Sequence, residues 1–157
     1  MSWNTGDRVI MLRTEFFTAM EDGIRRLFET GADVVLYEMG YHHGEPTWKN
    51  LLRSYEVKTL DDLQEVLAIY TANGWGVPEA VSLDLAARTA EVKFTENFEC
   101  TLKEGQTSAG SNFVRGHLSG LFEIVLGSKV EVSETNCVAK GDWTCTFRVA
   151  SRSKPPF

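Results

Sequence analysis

Residues 111–127, SNFVRGHLSGLFEIVLG, and residues 130–149, VEVSETNCVAKGDWTCTFRV, decide the fold. In the first stretch Phe113, Leu118, Leu121, Ile124 and Val125 fall on one helix. Ser111 stands where an N-cap belongs and Gly127 where the helix stops. The second stretch changes to strand character, with strands over 129–138 and 143–149 and a turn holding Lys140, Gly141 and Asp142. A helix followed by a hairpin points to helices packed on a mostly antiparallel sheet, an α+β domain.

Two features within these stretches invite a functional reading. Gly116 and Gly120 lie one turn apart on the helix, where each glycine costs about 1 kcal/mol relative to alanine. Something must approach that backbone closely: a strand, a partner helix or a ligand. Close packing is the simplest of these. In the hairpin, Glu134, Cys137 and Cys145 offer a carboxylate and two thiolates, a donor set suited to zinc but one short of a closed site. A three-residue loop over 140–142 would face Cys137 to Cys145, whereas a loop of two or four residues would put them on opposite faces. The competing reading is that both cysteines are small core residues.

Working outward, Arg8–Leu12 reads as a short buried strand and Thr14 as the cap of a helix carrying Phe17, Met20, Ile24, Leu27 and Phe28. Val34–Tyr37 reads as a strand that Gly40–Pro46 breaks, and a helix with Trp48, Leu51, Leu52 and Tyr55 should follow. Thr59 and Asp62 form a capping-box variant before a helix that Asn73-Gly74 ends. From 77 to 102 alternation returns at Val81, Leu83 and Leu85, at Val92 and Phe94, and at Phe98 and Cys100, which gives two or three strands. Glu104–Gly110 reads as a loop and 151–157 as a tail after a single domain over 1–150.

Composition narrows the function. The chain has 157 residues, 43% hydrophobic and 24% charged, which suits one globular domain. A net charge of -6 argues against nucleic acid, which requires a concentrated basic face. No apolar run approaches the roughly 20 residues of a membrane span, and residues 1–7 do not resemble a secretory signal. Three cysteines form no disulfide framework, so a reducing, cytoplasmic setting is expected.

No P-loop, dinucleotide fingerprint, nucleophile elbow or acid/base pair is visible, and no catalytic residue is assigned. His42, His43 and His117 are the only histidines, and each reads more simply as a surface or hydrogen-bonded group than as a catalyst. Glu21 with Asp22, and Asp61 with Asp62, read as solvated helix faces. Trp48, Trp75, Phe94, Phe98 and Trp143 are candidates for lining an apolar cavity, against the plainer reading that they are core.

Over Phe113–Gly127, Val130, Val132 and Glu134–Phe147 the chain resembles the vinyl-4-reductase domain, a predicted hydrocarbon-binding module. Weaker support comes from Glu38-Met39-Gly40-Tyr41 and Gly74-Trp75-Gly76. The resemblance implies a small-molecule-binding α+β fold, commonly homodimeric, shared with the sensor domains of phenol-responsive transcription activators and a protein linked to bacteriochlorophyll vinyl reduction. Subunits of a vesicle-tethering complex have a related fold.

In the phenol sensors a glutamate and three cysteines hold zinc, and the resemblance carries three of these onto Glu134, Cys137 and Cys145. The remaining cysteine falls on Ser111, a poor zinc ligand, with Cys100 as a conceivable substitute. The function implied is binding of a small apolar or aromatic molecule in a pocket formed by Trp75, Phe94, Phe98, Phe113 and His117. The chain would act as a sensor or carrier that signals through another protein. A subunit of a vinyl-group reductase and an adaptor without ligand are the alternatives.

Overall fold

The computed structural model describes residues 10–103, 105–107 and 110–152. Four α-helices and four strands follow in the order α1 (Thr14–Phe28), α2 (Ala32–Leu51), α3 (Leu60–Ala72), β1 (Val77–Asp84), β2 (Thr89–Thr95), α4 (Asn112–Val125), β3 (Val130–Asn136) and β4 (Cys145–Ser151). The strands form one antiparallel sheet in the order β1-β2-β4-β3. Alternation places Val92, Phe94, Val132, Phe147 and Val149 on its buried face. These side chains meet Leu118, Leu121 and Phe122 of α4 and Leu63, Leu67 and Tyr70 of α3 in one core.

The local signals act as the sequence suggests in several places. Thr59 Oγ1 accepts from the Asp62 amide at 3.1 Å and Asp62 Oδ2 accepts from the Thr59 amide at 2.8 Å, which completes the capping box of α3. Asn136 pairs with Thr146, the register in which Cys137 faces Cys145. The turn between them passes through a single 3-10 turn, Val138–Lys140, and Gly141 at φ 97°, a left-handed position that suits glycine.

The close approach at Gly116 and Gly120 comes from a helix, α2, which brings a matching pair. A Cβ on Gly116 would lie 2.0 Å from the Tyr37 carbonyl oxygen, and one on Gly40 would lie 2.0 Å from the Phe113 carbonyl oxygen. Gly44 and Gly120 also stand against backbone, at 2.8 Å from His117 O and 2.7 Å from Glu45 N. Tyr37 donates to Ser119 Oγ at 2.9 Å and Tyr41 to Glu123 at 2.8 Å along the same contact. The two helices thus touch main chain to main chain, which any side chain would prevent.

This packing overturns one expectation. Val34–Tyr37 is not a strand, and Gly40–Pro46 does not break one: both lie inside the 20-residue helix α2. Its buried residues, Ala32, Leu36, Gly40, Gly44 and Trp48, recur every four positions, so the buried row is largely glycine and alanine and escapes a search for apolar periodicity. Pro46 sits within the helix and costs it one backbone hydrogen bond.

Other expectations also change. Phe98 and Cys100 lie in a turn after β2, where the Cys100 amide bonds Asn97 O at 2.9 Å, and not in a third strand. Ile10–Leu12 forms no strand and is exposed, while Arg8 and Val9 lie outside the described residues. So do residues 1–7, Glu104, Ser108 and Ala109 of the expected loop, and residues 153–157 of the expected tail. Glu21 is not solvated but 1% exposed, in ion pairs with Arg25 and Lys103. Trp143, at 96% exposed, lines no interior.

The crossing generates a paired prediction. Gly116→Ala and Gly40→Ala should each destabilise the protein by about 1–3 kcal/mol or more, despite the higher helix propensity of alanine. Gly23→Ala in α1, where an added Cβ meets nothing within 4 Å, should be neutral or stabilising by up to about 1 kcal/mol. Urea unfolding of the three variants measures the difference, and equal effects at Gly23 and Gly116 would contradict the close crossing.

Candidate functional site

The crossing of α2 and α4 turns His117 inward, among aromatic rings from several segments. Its imidazole lies 5.2 Å from His43 in a stack, 5.2 Å from Trp48, 5.3 Å from Tyr70 and 5.0 Å from Trp75. Trp75 continues the cluster to Phe98 at 5.4 Å and Phe113 at 5.5 Å. Phe17 of α1 closes it, edge-on to Phe98 at 4.8 Å and Phe113 at 5.3 Å. Edge-to-face and offset geometries of this kind favour ring pairs beyond their apolar burial.

His117 is the polar centre of this cluster. Tyr70 Oη lies 2.7 Å from His117 Nδ1, while Nε2 is buried without a hydrogen-bond partner. Burial, with a smaller contribution from His43, pushes the His117 pKa down to about 3, so the ring is neutral at ordinary pH. Burial lowers His43 as well and holds the Tyr70 hydroxyl far above the usual phenol range. Tyr70 therefore keeps its proton, and donating it to Nδ1 leaves the ring proton on Nε2. The outcome is a single N–H donor in an apolar, aromatic setting, and an unsatisfied buried donor costs about 1–3 kcal/mol.

Of the five residues expected to line a pocket, Trp75, Phe98, Phe113 and His117 meet here. Phe94 stands one layer away, fully buried, with its ring against Tyr70 at 5.0 Å and Phe147 at 5.6 Å on the sheet. Sequence reasoning misses Phe17, His43 and Tyr70 as members of the cluster. His43 lies in the part of α2 whose composition reads as a break, and Tyr70 reads as ordinary core.

A second constellation lies at the N-terminal end of α4. One ligand atom each from Cys100, Glu134, Cys137 and Cys145 lies within 4.8 Å of the others. Cys100 thus supplies the donor missing from the hairpin trio, from the turn after β2. Its Sγ is 3.5 Å from Cys137 Sγ. Zinc–sulfur bonds of about 2.3 Å in a tetrahedron set sulfurs about 3.8 Å apart, so the spacing fits a shared ion.

Backbone amides of Gly110 and Val138 point at Cys137 Sγ and Cys145 Sγ, each at 3.4 Å. Amide donors of this kind suit thiolates held by a metal. Hydrogen bonds from Cys100 and then Cys145 draw the Cys137 thiol far below its usual range, and Gly110 adds to them. The same sharing pushes Cys100 far up. Burial, the largest influence, lifts Glu134 to about 7 against its bonds from Ser111.

Ser111 does not cap α4 as its position suggests. Its hydroxyl donates to Glu134 Oε1 at 2.7 Å, accepts from Asn97 Nδ2 at 2.8 Å and lies 3.0 Å from Cys100 Sγ. The α4 amides are met instead by Glu99, whose carboxylate accepts from Phe113 at 2.8 Å and Val114 at 2.9 Å. Burial raises Glu99 to about 8, opposed first by the nearby Lys103.

Several known proteins share this fold. The sensory domain of the phenol-responsive transcription activator PoxR, solved with phenol, matches with a TM-score of 0.78 at 19% identity over 95% of this chain and 79% of its own. A vinyl-4-reductase family protein from Methanocaldococcus jannaschii gives 0.64 at 19% identity, covering 92% and 85%. Subunit 3 of a trafficking protein particle complex from Naegleria fowleri, covalently bound to palmitic acid, gives 0.68 at 17%, covering 89% and 93%. No protein with a curated description matches in sequence. Among the described residues no helix is long and apolar enough to cross a membrane. Residues 90–151, from β2 through β4, match the model of the vinyl-4-reductase domain, and the chain belongs to that family, with its α+β fold.

Proposed function

We propose that the chain binds a small apolar or aromatic molecule within the cluster formed by Trp75, Phe98, Phe113 and His117, with Phe94 behind it. The observation that carries this reading is the buried Nε2 of His117, left without a partner among aromatic rings. A neutral guest with one acceptor oxygen would satisfy that donor while its apolar part replaces ring contacts. Ligands of two structural neighbours support the same class: PoxR holds phenol and the trafficking subunit palmitate.

The rings touch at 5.0–5.5 Å around Trp75, so a guest must part them. Binding then favours an opened arrangement over the closed one, which is what a sensor or carrier acting on a partner protein requires. Tryptophan fluorescence tests this with phenol and a short-chain alcohol as probes. Saturable quenching is expected, weakened about tenfold or more in His117→Phe, which retains the aromatic bulk and removes the donor. A linear, unsaturable response in the native protein would overturn the reading.

The Cys100, Glu134, Cys137 and Cys145 cluster is proposed as a zinc site, with Ser111 and Asn97 orienting the ligands rather than joining them. Zinc bound there would cross-link the turn after β2 to the β3–β4 hairpin. A homodimer is proposed through α1 and the start of α2, where Phe16, Leu27, Phe28 and Val34 are 52%, 80%, 53% and 64% exposed, more apolar surface than a monomer usually leaves in one region. Native mass spectrometry with elemental analysis should show twice 17.6 kDa and one zinc per chain. Cys100→Ser should lose the metal, while Ser111→Ala should keep it with about 10–100-fold weaker affinity. Full zinc retention in Cys100→Ser would remove Cys100 from the ligand set, and a metal-free native protein would exclude the site.

A further inference from the structure

The segment from Asn97 to Lys103 touches both sites. Asn97 holds Ser111. Phe98 packs against Trp75, Phe113 and Phe17. Glu99 binds the first amides of α4, and Cys100 enters the sulfur cluster. Lys103, only 13% exposed, forms an ion pair with Glu21 of α1. The segment is stiff between its last two functional residues, because the Lys103 amide bonds Cys100 O at 3.0 Å.

Helix α1 has little else to hold it. Among its 15 residues only Glu21 is buried. Its ties to the domain run through Phe17, against Phe98 and Phe113, through the Glu21–Lys103 pair, and through the Arg25–Asp33 pair, in which Asp33 is 54% exposed. Two of these depend directly on the 97–103 segment. The exposed pair adds little, since such pairs contribute roughly 0–1 kcal/mol.

We infer that metal occupancy at the cysteine cluster controls the docking of α1 over the aromatic site, with Cys100 and Lys103 as the two ends of the lever. The inference rests on the zinc reading above. An ion that fixes Cys100 fixes Lys103 one turn away and Phe98 two residues back, and so holds Glu21 and Phe17 in place. Without the ion, the segment moves more freely, Phe17 leaves the cluster and the rings become accessible from the α1 side. The metal does this only because it binds the docked arrangement more tightly than the undocked one. Lys103 is a positioning residue here and ligates nothing.

Hydrogen exchange of the full chain, zinc-loaded and chelator-treated, tests the inference, with zinc content measured on the same samples. Zinc should slow exchange in residues 14–28 by roughly tenfold or more, a sub-global opening that the metal suppresses. Lys103→Met should still carry one zinc per chain but lose the slowing in α1, while keeping it at 110–114 and 134–146. Lys103→Arg should restore it. One bound zinc with α1 exchange unchanged by loading would overturn the inference and leave the zinc reading standing. Undiminished zinc dependence of α1 in Lys103→Met would also overturn it. A protein that retains no zinc would overturn both.

Discussion

The main-chain contact of α2 with α4 is the constraint on which the structure depends. Four glycines, Gly40 and Gly44 facing Gly116 and Gly120, let the two helices approach closer than any side chain permits. That approach fixes the rotation of α4. Leu118, Leu121 and Phe122 then enter the core, while His117 faces His43 and Trp48. It also brings Trp48 Nε1 to the His117 carbonyl oxygen at 3.1 Å, a buried bond that ties the end of α2 to the middle of α4. Each glycine weakens its own helix, so the stability of both helices depends on the contact.

Fixing α4 also fixes its N-terminus, where the polar machinery gathers. Glu99 supplies the helix with acceptors, Ser111 bridges Glu134 to Cys100, and Asn97 holds Ser111. These groups are buried, and a buried carboxylate or thiol is tolerated only when its partners are all present. The two sites therefore stand at opposite sides of one short segment of α4: the sulfur cluster before its first turn and the imidazole one turn further along. The family match spans this region but leaves out α1, α2 and α3, which contribute Phe17, His43, Trp48 and Tyr70 to the aromatic cluster.

Much of this is legible in the sequence, and the failures have physical causes. The 111–149 region carries clear helix and strand periods, a glycine turn and cysteines at hairpin spacing, and its elements fall where those signals put them. The capping box at Thr59 is equally local. Helix α2 is not legible, because its buried row is glycine and alanine, its N-terminal half holds Val34, Val35 and Tyr37, and a proline lies inside it. Tertiary contact with α4 overrides those preferences. Gly116 and Gly120 call for a partner, but nothing in one dimension marks Gly40 and Gly44 as its glycines. Cys100 is hidden for another reason. It lies in a turn that reads as strand, well before the position where the resemblance expects a cysteine. Long-range chemistry of this kind appears only when the chain is folded.

The central claim is that His117 presents one neutral, dry N–H donor inside an aromatic cluster. In the unfolded chain an ordinary histidine takes up a proton as the pH falls below about 6.5, whereas folded His117 stays neutral until about 3. The folded state therefore loses stability from this group as pH falls through that window. The direct measurement is the side-chain nitrogen NMR spectrum of His117 between about pH 8 and pH 4, a range chosen to bracket the ordinary histidine value, with and without phenol. The account predicts a neutral ring protonated at Nε2 throughout, with the Nε2 signal moved by phenol and the Nδ1 signal still coupled to Tyr70. An imidazolium forming near the ordinary value of about 6.5, or an Nε2 signal indifferent to phenol at saturating concentration, would contradict it.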